Sequence, residues 1–180
     1  MNNVTINLSE HFTLAELAKT SVKIENVPNE EQVNNMKRLC GWLEKLRERY
    51  NRYYVLDQTT PAPPNSGGEA SGRILPLNRG SQRGYEEPII INSGYRSEAV
   101  NKAVGGAPNS NHLTGCAADI RVAGIEQLVR YATILLDISD LNNEDFDELL
   151  LERSPKGTYW LHFAVRPSGN RRKVKLIQAS

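Results

Sequence analysis

Cysteine and histidine are both scarce in this chain. Its two cysteines, Cys40 and Cys116, stand far apart among 180 residues. No short-spaced cysteine pair occurs, which excludes a cysteine-based zinc knuckle. Isolated cysteines read as buried free thiols that pack as small apolar residues. A disulfide between them is the alternative, and the spacing alone does not decide it. Charge of one sign is also lacking: 22 basic against 21 acidic residues leave a net charge of +1. No global field therefore favours nucleic acid or an anionic membrane. There is no apolar run of ~18 residues, the length a membrane-crossing helix needs. The start, MNNVTINLSEHF, has no basic segment followed by an apolar one. The expectation is synthesis in the cytoplasm, without a signal peptide and without membrane insertion.

What is present suits one folded unit. A length of 180 residues fits a single domain of the usual size, expected over 1–180 and as a monomer. FTLAELAK at 12–19 reads as a short helix with Thr13 and Glu16 as a capping box. Asn29 is placed to cap a longer helix over about 30–50, where Val33, Met36, Leu39, Cys40, Leu43 and Leu46 keep the helical period. Residues 57–87 change character. QTTPAPPNSGGEASG has almost nothing to bury and predicts a mobile insertion, either a tolerated surface loop or a flap near a substrate groove. Within it, RILPLN could add a strand. Beyond it, Ile89 to Ile91 predict a buried strand, and Ser97 caps a short helix over 98–103 that Gly105-Gly106 ends. Ala117 to Val122 predict a second strand. Residues 124–137 predict a helix with Ile125, Leu128, Val129, Ala132 and Leu135 inward. FDELLLE (146–152) and TYWLHFAV (158–165) predict a hairpin around Ser154-Pro155-Lys156-Gly157. The basic end, RRKVKL, reads as a solvated edge strand or tail.

The densest chemistry lies in Ser110-Asn111-His112-Leu113-Thr114-Gly115-Cys116-Ala117-Ala118-Asp119. A histidine and an aspartate seven apart face one point if a tight loop turns into a strand. Gly115 supplies the turn, and the small residues after it allow close backbone approach. Imidazole nitrogen and carboxylate oxygen are both good zinc ligands. A third donor is needed, and only His11 and His162 remain among three histidines. His11 precedes the first helix and reads as surface. His162 lies in the strand pattern Trp160-Leu161-His162-Phe163.

Ser-x-His-x-x-Gly-x-Ala-x-Asp followed by Trp-x-His resembles the zinc D-alanyl-D-alanine carboxypeptidase family, which includes phage-type L-alanyl-D-glutamate endopeptidases. SGYRSEAVNKAVGGAPNSNHLTGCAAD is similar to its central block, and FTLAELAKT and WLHF resemble the phage and prophage branch. The resemblance spans about residues 10–55 and 88–165. It implies an α+β fold, hedgehog/D-Ala-D-Ala carboxypeptidase-like, with a small antiparallel sheet and helices packed on one side. It implies one Zn2+ per chain on His112, Asp119 and His162, with water at an open fourth position. It implies peptidoglycan peptide as substrate, reached after lysis or as part of a phage-like particle. Arg96, at the family's arginine position, would bind the substrate and stabilise a developing oxyanion; a helix-start ion pair is the alternative. Ser110 would orient its loop or touch substrate, and Trp160 would line the substrate groove.

The sequence departs from the family at the general base. Where known members carry an acid three residues before the last histidine, this chain has Tyr159. Glu152 is the best substitute. If residues 154–158 form a five-residue hairpin loop, Arg153 opposes Tyr159 and Glu152 opposes Trp160. Glu152 then shares a face with His162, because side chains alternate along a strand. A four-residue loop points Glu152 away. Glu152 as an outer carboxylate orienting a ligand is the alternative role, and Asp147 is the runner-up base. A zinc-containing binding module, or a phage structural component on the same fold, needs no base at all.

Overall fold

The computed structural model describes residues 5–55 and 86–178. Nearly all of the expected 57–87 insertion, RILPLN included, lies outside the described residues. Helix α1, Leu14–Leu17, begins at Thr13, whose side chain accepts from the Glu16 N–H. Helix α2, Glu30–Tyr50, begins at Asn29. The Asn29 and Gln32 side chains each accept from the other's backbone N–H, a reciprocal box that satisfies two otherwise free donors. A single π turn, Asn51–Val55, continues it. Strand β1, Ile91–Ser93, leads to helix α3, Glu98–Ala103, which Ser97 caps. A 3-10 turn, Asn111–Thr114, then feeds strand β2, Ala117–Arg121. Helix α4 spans Ile125–Asn142, and strands β3 (Glu148–Arg153), β4 (Tyr159–Ala164) and β5 (Lys173–Gln178) follow.

The five strands form one sheet in the order β1-β2-β4-β3-β5. The fold is α+β. All neighbours are antiparallel except β3 and β5, which run parallel. The exception arises because the chain leaves β4, crosses under the start of β3 through residues 165–172, and returns on the sheet's outer edge. The basic end is thus an edge strand. Helices α2 and α4 cover one face, where Trp42 packs on Phe146 and Phe163 at centroid distances of 6.4 and 5.4 Å. Leu149, Leu161 and Phe163 point into that layer and are fully buried. The alternate residues of the same strands therefore face outward.

Three expectations need correction. Helix α4 runs five residues past 137, and its buried stripe is Leu128, Tyr131, Ala132, Leu135 and Ile138. Ile125 and Val129 are about half exposed instead of inward. Ile125 opens the helix, and Val129 sits roughly 100° around the helix from Leu128, off the stripe that meets the sheet. The strand expected over Ile89 to Ile91 begins only at Ile91, and Ile90 is exposed while Ile89 and Ile91 are buried, so the segment is buried on one side only. Both cysteines are free and buried. No helix among the described residues is long and apolar enough to cross a membrane.

Candidate metal centre

Strand register places two of the candidate donors side by side. Asp119 on β2 pairs with His162 on β4, and Leu150 on β3 pairs with His162 from the other side. Strand alternation then puts Asp119, Trp160, His162, Glu148 and Glu152 on the face away from the helices. His112 is delivered by the 3-10 turn. The Ser110 hydroxyl accepts from the His112 N–H at 3.3 Å. The side-chain amides of Gln32 and Asn35 on α2 donate to the carbonyls of Leu113 and Thr114. Gly115 ends the turn at φ +72°, and a Cβ there would lie 2.5 Å from the Gln32 carbonyl oxygen. Only glycine meets both demands, the left-handed backbone and the close approach.

The imidazoles present opposite nitrogens to one carboxylate oxygen. His112 Nε2 is 3.2 Å from Asp119 Oδ1, and His162 Nδ1 is 2.9 Å from the same atom. One donor atom from each of the three residues lies within 4.8 Å of the others. On its far side, His112 Nδ1 is 2.6 Å from the Gly94 carbonyl oxygen. A carbonyl only accepts, so Nδ1 carries a proton, and Nε2 is the nitrogen turned to Asp119 and available to a metal. The side chains of His112 and Asp119 are largely enclosed, as is that of His162. Two imidazole nitrogens and one carboxylate oxygen are the donor set of a three-ligand zinc site. The residues present fit zinc.

Charge at the site follows from burial and partners. Burial alone would raise the Asp119 carboxyl, but the charge and hydrogen bonds of His112 and His162 hold it well below the usual range. Burial alone would lower His162, but the hydrogen bond to Asp119 and the carboxylates around the ring, Asp119, Glu148 and Glu152, outweigh it and raise its pKa to about 9.

Arg96 lies at the site, though not free. Its Nη2 donates to Asp119 Oδ2 at 2.6 Å, and its Nε donates to Ser93 Oγ at 2.8 Å. The guanidinium therefore orients the ligand carboxylate in this arrangement. The hairpin loop has five residues: Arg153 pairs with Tyr159 and Glu152 with Trp160. Glu152 accordingly shares the His162 face. Burial pushes its carboxyl pKa up and Asp119 adds to that, while His162 and the Trp160 indole oppose it. Tyr159 packs on the opposite face, against the core. Asp147 is fully enclosed and taken up by others: Arg166, both nitrogens of the Arg171 fork, and Asn111 all donate to it. The structure does not bring Asp147 to the metal donors. His11 sits apart, paired with Glu44 at 2.8 Å.

Reasoning from sequence missed Glu148. Its Oε2 lies 3.6 Å from His162 Nε2, an ion-pair contact too long for a hydrogen bond. The signal was present, since the alternation that selects Glu152 selects Glu148 equally. The Gly94 carbonyl had no such signal, because backbone groups leave no trace in composition.

Residues 79–138 match a family model described as Peptidase M15. A stretch of 35 residues is 51% identical to the zinc D-Ala-D-Ala carboxypeptidase of Streptomyces albus G, covering 19% of this chain and 14% of that protein. The chain thus matches about a seventh of that relative's length. The family match takes in Arg96, Ser110, His112 and Asp119 and ends before Glu152 and His162. Over about a third of its length the chain is similar to Peptidase M15 domains, and the fold adds the third donor from outside that stretch.

Proposed function

We propose that this chain is a zinc-dependent peptidase that hydrolyses amide bonds in peptidoglycan stem peptides. The observation that carries the reading is the convergence of His112 Nε2, Asp119 Oδ1 and His162 Nδ1 on one point. The similarity to a zinc D-Ala-D-Ala carboxypeptidase supports the substrate class. When bound, zinc supplies Lewis acidity to the scissile carbonyl and makes water a better nucleophile at neutral pH.

The protein's own groups complete the chemistry. Glu152 accepts the proton of the attacking water and returns it to the leaving amine. Burial brings its pKa up towards working pH, as a general base that must later act as an acid requires. Arg96, held on Asp119 and Ser93, is the cation beside the donors that stabilises the charge developing on the carbonyl oxygen. Trp160, opposite Glu152, forms the apolar side of the groove, and Ser110 holds the His112 turn. Both the carboxypeptidase and the endopeptidase forms of the reaction use these same groups. The enzyme reaches the wall after lysis or as part of a phage-like particle.

The test is incubation with purified cell wall and defined muropeptides, with products identified by mass. Release of a stem-peptide fragment that a chelator abolishes and zinc restores is the expected result. Zinc binding without product would instead favour a binding module or phage structural component, a reading that Tyr159 at the usual acid position favours.

A further inference from the structure

The two imidazoles present different nitrogens to Asp119, so each needs its other nitrogen fixed. His112 has the Gly94 carbonyl for this. His162 Nε2 is buried and has no hydrogen-bond partner among the described residues, yet it faces Glu148 Oε2 at 3.6 Å. An orphaned buried ring nitrogen beside a carboxylate is costly unless that nitrogen carries a proton to donate. A proton on Nε2 leaves Nδ1 with the lone pair that a metal uses, on the side where Asp119 lies.

Glu148 is itself held in place by the segments on either side. Lys173 Nζ donates to its Oε1 at 2.8 Å, and Arg171 Nη2 lies 3.0 Å from the same oxygen. Asn111 Nδ2 donates to Oε2 at 3.1 Å and also to Asp147 at 2.8 Å. Asn111 directly precedes His112, so this amide ties the turn that carries one imidazole to the strand that steadies the other. Asp147 anchors the crossover through Arg166 and Arg171. The basic stretch at 171–173 therefore has a structural partner next to the metal donors.

We propose that Glu148 is a positioning residue for the metal site, fixing the tautomer and orientation of His162, and that Arg171 in the crossover, Lys173 at the start of β5 and Asn111 hold it there. The inference rests on the zinc reading above, and it deepens that reading by assigning a role to the C-terminal strand. With a metal held on Nδ1, His162 would keep its proton on Nε2, directed at Glu148 Oε2.

The experiment measures zinc affinity by competition with a chelator and records the cobalt(II) absorption spectrum. It uses the full chain as wild type, E148Q, E148D and E148M. Outer carboxylates of this kind are worth about 10–100-fold in metal affinity. E148M should lose affinity near the upper end of that range and E148Q near the lower, with E148D recovering part of the loss. The cobalt spectrum should shift in E148M and E148Q, measured below the metal-free melting temperature of each variant, which falls because Glu148 also holds Lys173 and Asn111. If E148M does not fold, E148Q decides the matter. Wild-type affinity and an unchanged cobalt spectrum in the folded variants would overturn the inference alone. Failure of the wild type to bind zinc would overturn the zinc reading and this inference together.

Discussion

Three side chains at the centre make different demands on substitution. His112 sits between a carbonyl and Asp119, so His112→Ala removes one metal donor and leaves the Gly94 carbonyl without its partner. Zinc content and peptidase activity should fall together; full zinc stoichiometry in that variant would refute the ligand assignment. Glu152→Gln keeps the shape and the strand pairing but cannot take a proton. Zinc should stay bound while turnover drops by about a hundredfold or more, the usual size of a general-base contribution. A fully active Glu152→Gln would remove Glu152 as the base. Arg96 differs from both, because its guanidinium already holds Asp119. Arg96→Ala should lower turnover by about a hundredfold, as loss of an oxyanion donor does, and should also weaken zinc by about tenfold, as loss of an outer partner does. Turnover lost with zinc affinity intact would separate the substrate role from the ligand-orienting one.

Single elements show what a reader of the sequence can and cannot recover. Helix α2 was legible to its ends, because Asn29 caps it and its apolar stripe repeats without interruption. The hairpin was legible but its register was open between a four- and a five-residue loop, and the pairing of Arg153 with Tyr159 decides for five, which turns Glu152 outward with His162. The inward face of α4 was not legible in full. Its apolar stripe is wider than the surface that meets it, and only the sheet decides that Ile125 and Val129 stay in water. The parallel pairing of β5 was hidden for a related reason. It depends on the buried Asp147 carboxylate gathering Arg166 and Arg171 from the crossover, a long-range contact with no local pattern. Two glycines test the local part of the argument. Gly157 has φ +85° in the hairpin loop, with nothing nearer a new Cβ than 3.8 Å. Gly115 has φ +72° with the Gln32 carbonyl 2.5 Å away. Gly157→Ala should cost about 1 kcal/mol from backbone strain alone. Gly115→Ala adds a backbone clash, should cost more, and should weaken zinc because it moves His112 against Asp119. Equal losses of melting temperature and unchanged zinc affinity would mean that the turn does not set the ligand geometry.

Across the whole molecule, the charges of the site tie folding to pH in opposite directions. In the metal-free protein His162 is raised from 6.5 to about 9, since contacts with Asp119 and Glu148 outweigh its burial. A group raised in this way contributes stability that is complete below about 6.5 and is lost as pH climbs through about 9. Asp147 and Glu148 behave in the reverse sense. Burial opposes ionisation of Asp147, but Arg171, Asn111 and Arg166 hold its carboxyl low. Glu148 is held low chiefly by His162, with Lys173 adding to it. Their contribution is complete above the ordinary carboxylate range and fades as acid protonates them. The metal-free protein should therefore be most stable near pH 5–7 and should weaken on both sides, as these opposed groups require. Zinc changes the basic side only. It needs His162 Nδ1 without a proton, so binding must release that proton and must tighten as pH rises towards about 9. Melting curves of chelator-treated and zinc-loaded protein, taken from about pH 5 to 10, should show a gap that widens steadily with pH. The metal-free curve should fall above about pH 8 while the loaded one holds. A gap of the same size at every pH would mean that no proton stands where the metal must go, and the pairing of His162 with Asp119 in the metal-free protein would be wrong.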